Sequence, residues 1–320
     1  MSNIGTQTFI VARDGTGTHT SVTSALEAVL RHAAEPVNIY IKNGIYNEVV
    51  TVPDTLKNIH FIGEDPKKTI ITGDNYNAKL KPDGSPYGTH GSATVFIFGD
   101  GFFAENITFQ NDSQTGLQDQ GRQAVALRSS ADRLIFRHCR FLGNQDTLFS
   151  EKGRQYFENC YIEGDVDFIF GNGPVWFEQC EIKSVERHVD LPGFCCAPST
   201  PASQQYGMVF NRCRCTAEYG VKDRTVYLGR GWHPTYYSVP VSSNAVFMHC
   251  ELGRHIKKEG WTVMREQYPV PTERFREYLN SGAGAGKRHE HRVQLSGPEA
   301  EQYTIRNVLG GDDGWDPVKK

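Results

Sequence analysis

Residues 136–182 read FRHCRFLGNQDTLFSEKGRQYFENCYIEGDVDFIFGNGPVWFEQCEI. One phrase recurs there: Phe, two residues, Cys, and an apolar residue two positions on. It occurs at Phe136-Cys139-Phe141, Phe157-Cys160-Ile162 and Phe177-Cys180-Ile182, and again at Phe210-Cys213-Cys215 and Phe247-Cys250-Leu252. Weaker versions precede it at Leu56-Ile59-Phe61 and Ala104-Ile107-Phe109. The offset is 21 and then 20 residues in the tightest stretch and 32 to 48 elsewhere, which implies loops inserted into one unit. The end of each phrase alternates like a strand. A short, strand-bearing unit that repeats at variable length marks a solenoid, here a β-solenoid whose coils stack about 4.8 Å apart. The Phe, Cys and Ile positions then form ladders inside it.

Five of the eight cysteines occupy this phrase, so they read as reduced core thiols. Their spacing matches neither a metal site nor a disulfide framework. Ser21 to Ala34 departs from the β pattern: Val22, Ala25, Leu26, Val29 and Leu30 have helical spacing, with Thr20 or Ser21 as cap. A helix there covers the N-terminal end of the solenoid. Arg274 to Asn280 and Gly297 to Leu309 read as partly helical, 281–286 (SGAGAG) as a loop, and 287–292 (KRHEHR) as a solvated turn. One elongated domain over residues 1–320 accounts for the length.

The chain has a formal net charge of −3, which gives no global basic footprint for nucleic acid or membrane. No run of 18 apolar residues occurs, so no transmembrane helix is expected. The first residues, MSNIGTQ, lack the features of a signal peptide. With the thiol-rich core, this favours a cytoplasmic expectation, or a secreted or periplasmic one if a leader was removed.

The repeat also places two carboxylates. Asp146 lies ten residues after Phe136, and Asp167 ten after Phe157, so they hold the same position on consecutive coils. Two carboxylates about 5 Å apart repel by roughly 3 kcal/mol at an effective dielectric near 20, about two pKa units. One then stays ionised while the other keeps its proton near neutral pH, which makes a nucleophile and a general acid from one residue type. A surface pair with separate hydrogen bonds or a bound cation is the alternative. The neighbours favour chemistry. Gln145 and Gln123 bring amide NH2 groups suited to an oxyanion. Arg230, in LGRGW, can clamp a carboxylate with two prongs. Aromatic residues around Asp167 offer a sugar ring an apolar face.

The phrases GRQAVALR (121–128), GNQDTLF (143–149), GDVDFIFGN (164–172), APST (197–200) and YLGRGW (227–232) together resemble the pectin methylesterases. The opening VARDGTGTHTSVTSAL, NGIYNE near residue 45 and the tail from FREYLNSGAGAG to EAEQYTIRNVLGG also fit, so the resemblance covers nearly the whole chain. APST and the loop lengths look bacterial. The resemblance implies an all-β, right-handed parallel β-helix that hydrolyses methyl esters of galacturonate residues in pectin or methylated oligogalacturonides. It implies Asp167 as nucleophile, Asp146 as general acid and then base, Gln145 and Gln123 as oxyanion donors, and Arg230 as the clamp on Asp167. It also implies that Thr89, Val166, Phe170, Ala197, Trp232 and Met264 line the substrate groove. No metal or organic cofactor is implied, and a monomer is expected.

Three departures stand out. Gly231 replaces the usual Pro of LGRPW, exchanging a fixed φ for a free one. Phe149 stands where a Tyr is common. Cys196 replaces the usual Thr before the Ala of APST, with an expected effect on the groove. A pectin-cleaving glycoside hydrolase, a lyase and a non-catalytic carbohydrate-binding solenoid are the competing readings. A lyase would want a calcium-binding acidic cluster, and a binding protein would show broken catalytic positions.

Overall fold

In a computed structural model, residues 7–30, 36–113, 121–187, 191–286 and 290–319 are described. Three parallel sheets run the length of the molecule, one of ten strands and two of eight. Each full coil contributes one strand to each sheet, and Gln7–Val11 and Arg274–Tyr278 extend the ten-stranded sheet at its two ends. A central coil runs from Leu134–Arg137 in the ten-stranded sheet, through Arg140–Leu142, to Leu148–Lys152, and the next begins at Gln155–Glu158. Every pair of neighbouring strands is parallel, and the architecture is the expected parallel β-helix.

The repeated phrase spans a sharp corner between two sheets. Its second intervening residue takes a left-handed conformation: His138, Asn159, Gln179, Arg212 and His249 have φ between 50 and 56°. Asn tolerates that region, but His, Gln and Arg are held there against a local cost. A ladder bond fixes each one. The N–H of His138 donates to the Glu158 carbonyl at 3.0 Å, and that of Asn159 to the Glu178 carbonyl at 3.0 Å. The corner lets Phe and Cys both point inward from opposite sides of the bend.

The inward ladders follow. Phe136, Phe157, Phe177, Phe210 and Phe247 stack face to face, with centroids 4.2 to 4.9 Å apart. The thiols of Cys160, Cys180, Cys213 and Cys250 each donate to the carbonyl of the Phe one coil earlier, as from Cys160 Sγ to Phe136 O at 3.4 Å and from Cys250 Sγ to Phe210 O at 3.3 Å. All eight cysteines are buried and unpaired by disulfides.

The first weak repeat is out of register. Phe61, not Leu56, pairs with Ala104, which pairs with Phe136. The third position of that coil belongs to Ile71, opposite Phe109. A longer corner, 64–68, separates the two strands, so a search for a fixed spacing misplaces the phrase.

Val22–Leu30 is the expected end helix, and 31–35 lie outside the described residues. Ser21 Oγ accepts from the Ser24 N–H at 3.1 Å, and the Glu48 carboxylate accepts from the Val22 and Thr23 N–H groups at 2.9 Å each. Both satisfy the open donors of the first turn. In the tail, Gly297–Ala300 and Ile305–Leu309 are helical as expected. They lie on the outer face of the ten-stranded sheet, where Leu295, Ala300, Leu309 and Trp315 pack on Tyr156, Trp176 and Val246.

Two expectations fail near the C-terminus. Arg274–Tyr278 is the last strand of the ten-stranded sheet, not a helix. Its inward Phe275 stacks on Trp261 at 4.4 Å, and Glu277 is also buried. Nor is 287–292 simply a solvated turn. Arg292 is fully buried and forms a two-pronged pair with Glu277, at 2.7 and 2.6 Å. Residues 287–289 lie outside the described residues.

Phe157 is fully buried between the rings of Phe136 and Phe177. Phe157→Ala leaves a ring-sized void in a rigid stack, with an expected cost of about 3–5 kcal/mol. Urea denaturation measures it, and a cost under about 1 kcal/mol would show that the stack collapses around the gap.

Candidate active site

The two aspartates sit where stacking predicts. Leu148 pairs with Ile169 and Phe149 with Phe170, a register that carries Asp146 onto Asp167. Both take the left-handed backbone conformation, with φ of 66° and 49°. That conformation costs on the order of 1–3 kcal/mol at each non-glycine residue. The Asp146 N–H donates to the Val166 carbonyl at 3.1 Å. On the other side of Asp167 the register shifts between Val166 and Ile169, so the strand Val166–Gly171 bulges at the aspartate. Such a bulge re-aims a side chain out of the sheet.

Arg230 holds Asp167 with two prongs. Its Nε donates to Oδ1 at 2.9 Å and its Nη2 to Oδ2 at 2.7 Å. The guanidinium also lies on the Phe194 ring, 3.8 Å from the centroid. Asp146 has no such partner among the described residues. Burial, and then the negative charge of Asp167, push the Asp146 carboxyl well above the usual range. Burial raises Asp167 too, but the Arg230 charge and hydrogen bonds pull it back. One partnered and one unpartnered carboxyl on adjacent coils give the asymmetry expected from the sequence.

These groups open into a cleft of about 360 Å³. Gln123, Gln145, Asp146, Asp167 and Arg230 line it, with Thr89, Phe170, Ala197, Trp232 and Met264. Val166 is the one expected residue not in the lining; it is buried one position before Asp167. Gln123 Oε1 accepts from Asn77 Nδ2 at 3.0 Å, which leaves its NH2 as the donor for the cleft. The apolar wall is a packed cluster of Val125, Phe149, Phe170 and Ala197, edged by Trp232 and Met264. A larger cleft, of about 930 Å³, lies against the C-terminal segment and contains none of these residues.

The departures resolve differently. Phe149 is fully buried and stacks on Phe170 at 4.2 Å, so its ring supports the wall from behind. Cys196 does not touch the groove. It is buried in the helix interior, and its thiol donates to the Leu228 carbonyl at 3.2 Å. In its strand Ala197 faces the cleft, and alternation turns Cys196 inward.

Sequence reasoning missed four kinds of contributor. His90 and Tyr236 line the cleft and meet at 3.2 Å, although 146 residues separate them. His90 lies in the short helix Gly88–Gly91 and Tyr236 in a loop, and no repeat places either. Asn77 orients Gln123 from another such loop. Phe194 supports Arg230. Asp165, in the same GDVD phrase as Asp167, is buried and holds Arg122 at 2.8 Å and Arg187 at 3.4 Å. Its nearness in sequence to Asp167 was the available signal.

Comparison with known proteins agrees with the fold. The family model described as Pectinesterase matches residues 8–312. An Arabidopsis thaliana protein, probable pectinesterase/pectinesterase inhibitor 36, is 37% identical over 97% of this chain and 59% of its own length. The chain spans between half and three fifths of the curated relatives it matches first, and those are plant proteins, so identity does not bear out the bacterial cast. A pectin methylesterase solved in complex with a hexasaccharide superposes with a TM-score of 0.88, at 33% identity and covering 98% of this chain and 99% of that one. Pectin methylesterase PemA from Erwinia chrysanthemi gives 0.87 at 32% identity, covering 99% of both chains. The chain belongs to the pectinesterase family.

Proposed function

We propose that the protein hydrolyses methyl esters of galacturonate residues in pectin or methylated oligogalacturonides, releasing methanol and a free carboxylate. The observation that carries this reading is the asymmetric pair, Asp167 gripped by Arg230 and Asp146 buried beside it with no ion-pair partner of its own among the described residues.

In this reading an oxygen of ionised Asp167 attacks the ester carbonyl carbon. The carbonyl electron pair moves onto oxygen, where the amide NH2 groups of Gln123 and Gln145 stabilise it. Collapse of the tetrahedral intermediate breaks the bond to the methoxy group, and Asp146 gives the departing oxygen its proton. Methanol leaves and an acyl-Asp167 anhydride remains. Asp146, now ionised, takes a proton from water, and the hydroxide attacks the substrate acyl carbon. The second collapse restores ionised Asp167 and frees the sugar carboxylic acid, which gives its proton to solvent and becomes the carboxylate, while Asp146 has regained its own proton. Arg230 keeps Asp167 ionised and its oxygens fixed, which favours attack by position as well as charge.

Thr89, Phe170, Ala197, Trp232 and Met264 fit the sugar rings, with Val166 supporting them from behind. We read residues 1–320 as one domain acting as a monomer, a reading supported by the unbroken sheet ladders. The bacterial cast of the loops is part of this reading; the likeness to the Erwinia enzyme supports it and the plant relatives count against it.

Methanol release from highly methylated pectin, and from short methylated oligogalacturonides, tests the function. The wild type should release it from at least one substrate, and Asp167→Ala should lose about 10³-fold or more in kcat. Equal release by both proteins would remove Asp167 from its role.

Asp146 links activity to stability. Its folded carboxyl binds a proton more tightly than the unfolded chain does. Stability is therefore full below the usual carboxylate range and falls as pH rises towards the raised value. Asp146→Asn should raise Tm at about pH 7, and much less at about pH 4, while cutting methanol release about 10²-fold or more. Thermal melts at both pH values check the sign, and an unchanged or lower Tm at neutral pH would contradict it.

A further inference from the structure

Arg230 and Trp232 stand at the end of the strand Val226–Gly231, which is paired through Gly231 with Trp261–Val263 but not with Gly193–Pro198. On one side the register ends at Cys196 opposite Gly229, and only the Trp232 N–H reaches back, to the Pro198 carbonyl at 2.9 Å. The chain then leaves the sheet and returns at Ser243, just before the strand Asn244–Met248. Trp232 and Tyr236, both in the cleft, ride on this excursion.

One buried carboxylate ties its two ends together. Glu273 is 4% exposed. Its Oε1 lies 2.5 Å from His233 Nε2 at the start of the loop, and its Oε2 accepts from the Ser243 N–H at 2.5 Å at the end. The Tyr268 ring stacks flat on the imidazole at 3.6 Å. A buried carboxylate without such partners would be costly, so both contacts are demanded wherever Glu273 stays in place.

The same carboxylate explains the glycine. A Cβ at Gly231 would stand 2.6 Å from Glu273 Oε1 and 2.9 Å from Ser243 Oγ. Gly231 does not have a positive φ, so the glycine is required by space and not by backbone conformation. A side chain at 231 and the Glu273 clasp exclude each other.

We propose that Glu273 is a positioning residue: it closes the 233–243 loop, fills the space above Gly231 and so sets the placement of Arg230 and Trp232. For its effect on turnover this rests on the role of Arg230 given above. The Gly231 departure then belongs to a pair of positions, with the stiffness that a proline ring would supply coming from a carboxylate 42 residues downstream.

The test is a cycle of Gly231→Ala, Glu273→Ala, their double variant and Glu273→Gln, read in two ways. One is kcat and KM for methanol release. The other is the rate of chymotrypsin nicking after Tyr236 or Tyr237, which needs no catalysis. Each single alanine variant should lose about ten-fold or more in kcat with its Tm within a few degrees of wild type, and nicking should accelerate about ten-fold. The double variant should match Glu273→Ala, because the nearest obstacle to the methyl is gone and Ser243 Oγ, 2.9 Å away and without a hydrogen-bond partner among the described residues, can turn aside. Glu273→Gln keeps the shape and an acceptor for Ser243, and should stay within about three-fold of wild type. Unchanged nicking in both single variants, or losses that multiply in the double, would overturn the proposal. If Gly231→Ala does not fold, folding of the double variant is the same coupling, and failure of both overturns it. If the wild type releases no methanol, the esterase reading fails alone, and nicking still decides the role of Glu273.

Discussion

Coil-to-coil register is the constraint on which the site depends. A parallel strand can slide along its neighbour, and a slip of one residue turns every side chain to the opposite face. Here the stacked phenylalanines and the thiols that donate to the preceding coil oppose any slip. The left-handed corner residue fixes where each strand starts, because its N–H bonds to the next coil. Asp146 and Asp167 are therefore brought together by an aromatic ladder on the far side of the coil rather than by any contact between them. Their mutual interaction opposes ionisation, and the fold holds them in place against it.

The central coils were legible because their period is short and their interior positions keep their chemistry. Phe and Cys repeat without interruption from residue 136, so the aspartates ten residues on could be superposed before any coordinates existed. Legibility declined where the same unit is stretched. The corner at 64–68 displaced Leu56 and Phe61 by a register, and Phe275 carries the ladder on without its Cys. Arg274–Tyr278 alternates polar and apolar residues, but its charged side chains obscured the strand, since the charge of buried Glu277 is matched by Arg292 from a segment that looks solvated. Such a pair is invisible in sequence because neither partner predicts the other.

Within the site, sequence reasoning placed the groups that adjoin repeat positions and passed over several that arrive from between them. Gln123, Gln145 and Arg230 lie next to repeat positions and inherit their placement. His90, Asn77 and Tyr236 approach from excursions whose course depends on their own packing. Cys196 illustrates the opposite error. Its neighbour Ala197 is in the cleft, and one step along a strand reverses the side chain. Gly231 was read as a loosened turn, whereas the structure shows its missing side chain replaced by a tertiary contact.

The shortest coils carry the two aspartates, and this divides the molecule by tolerance to change. Between Phe136 and Phe177 there is no spare residue in which an insertion can hide, and any insertion would rotate one aspartate away from the other. The coils on either side already contain excursions, and those excursions form the ends of the cleft. Substrate preference can therefore drift by loop exchange at both ends of the solenoid while the reaction stays fixed at its centre, much as interchangeable jaws can be fitted to one rigid vice.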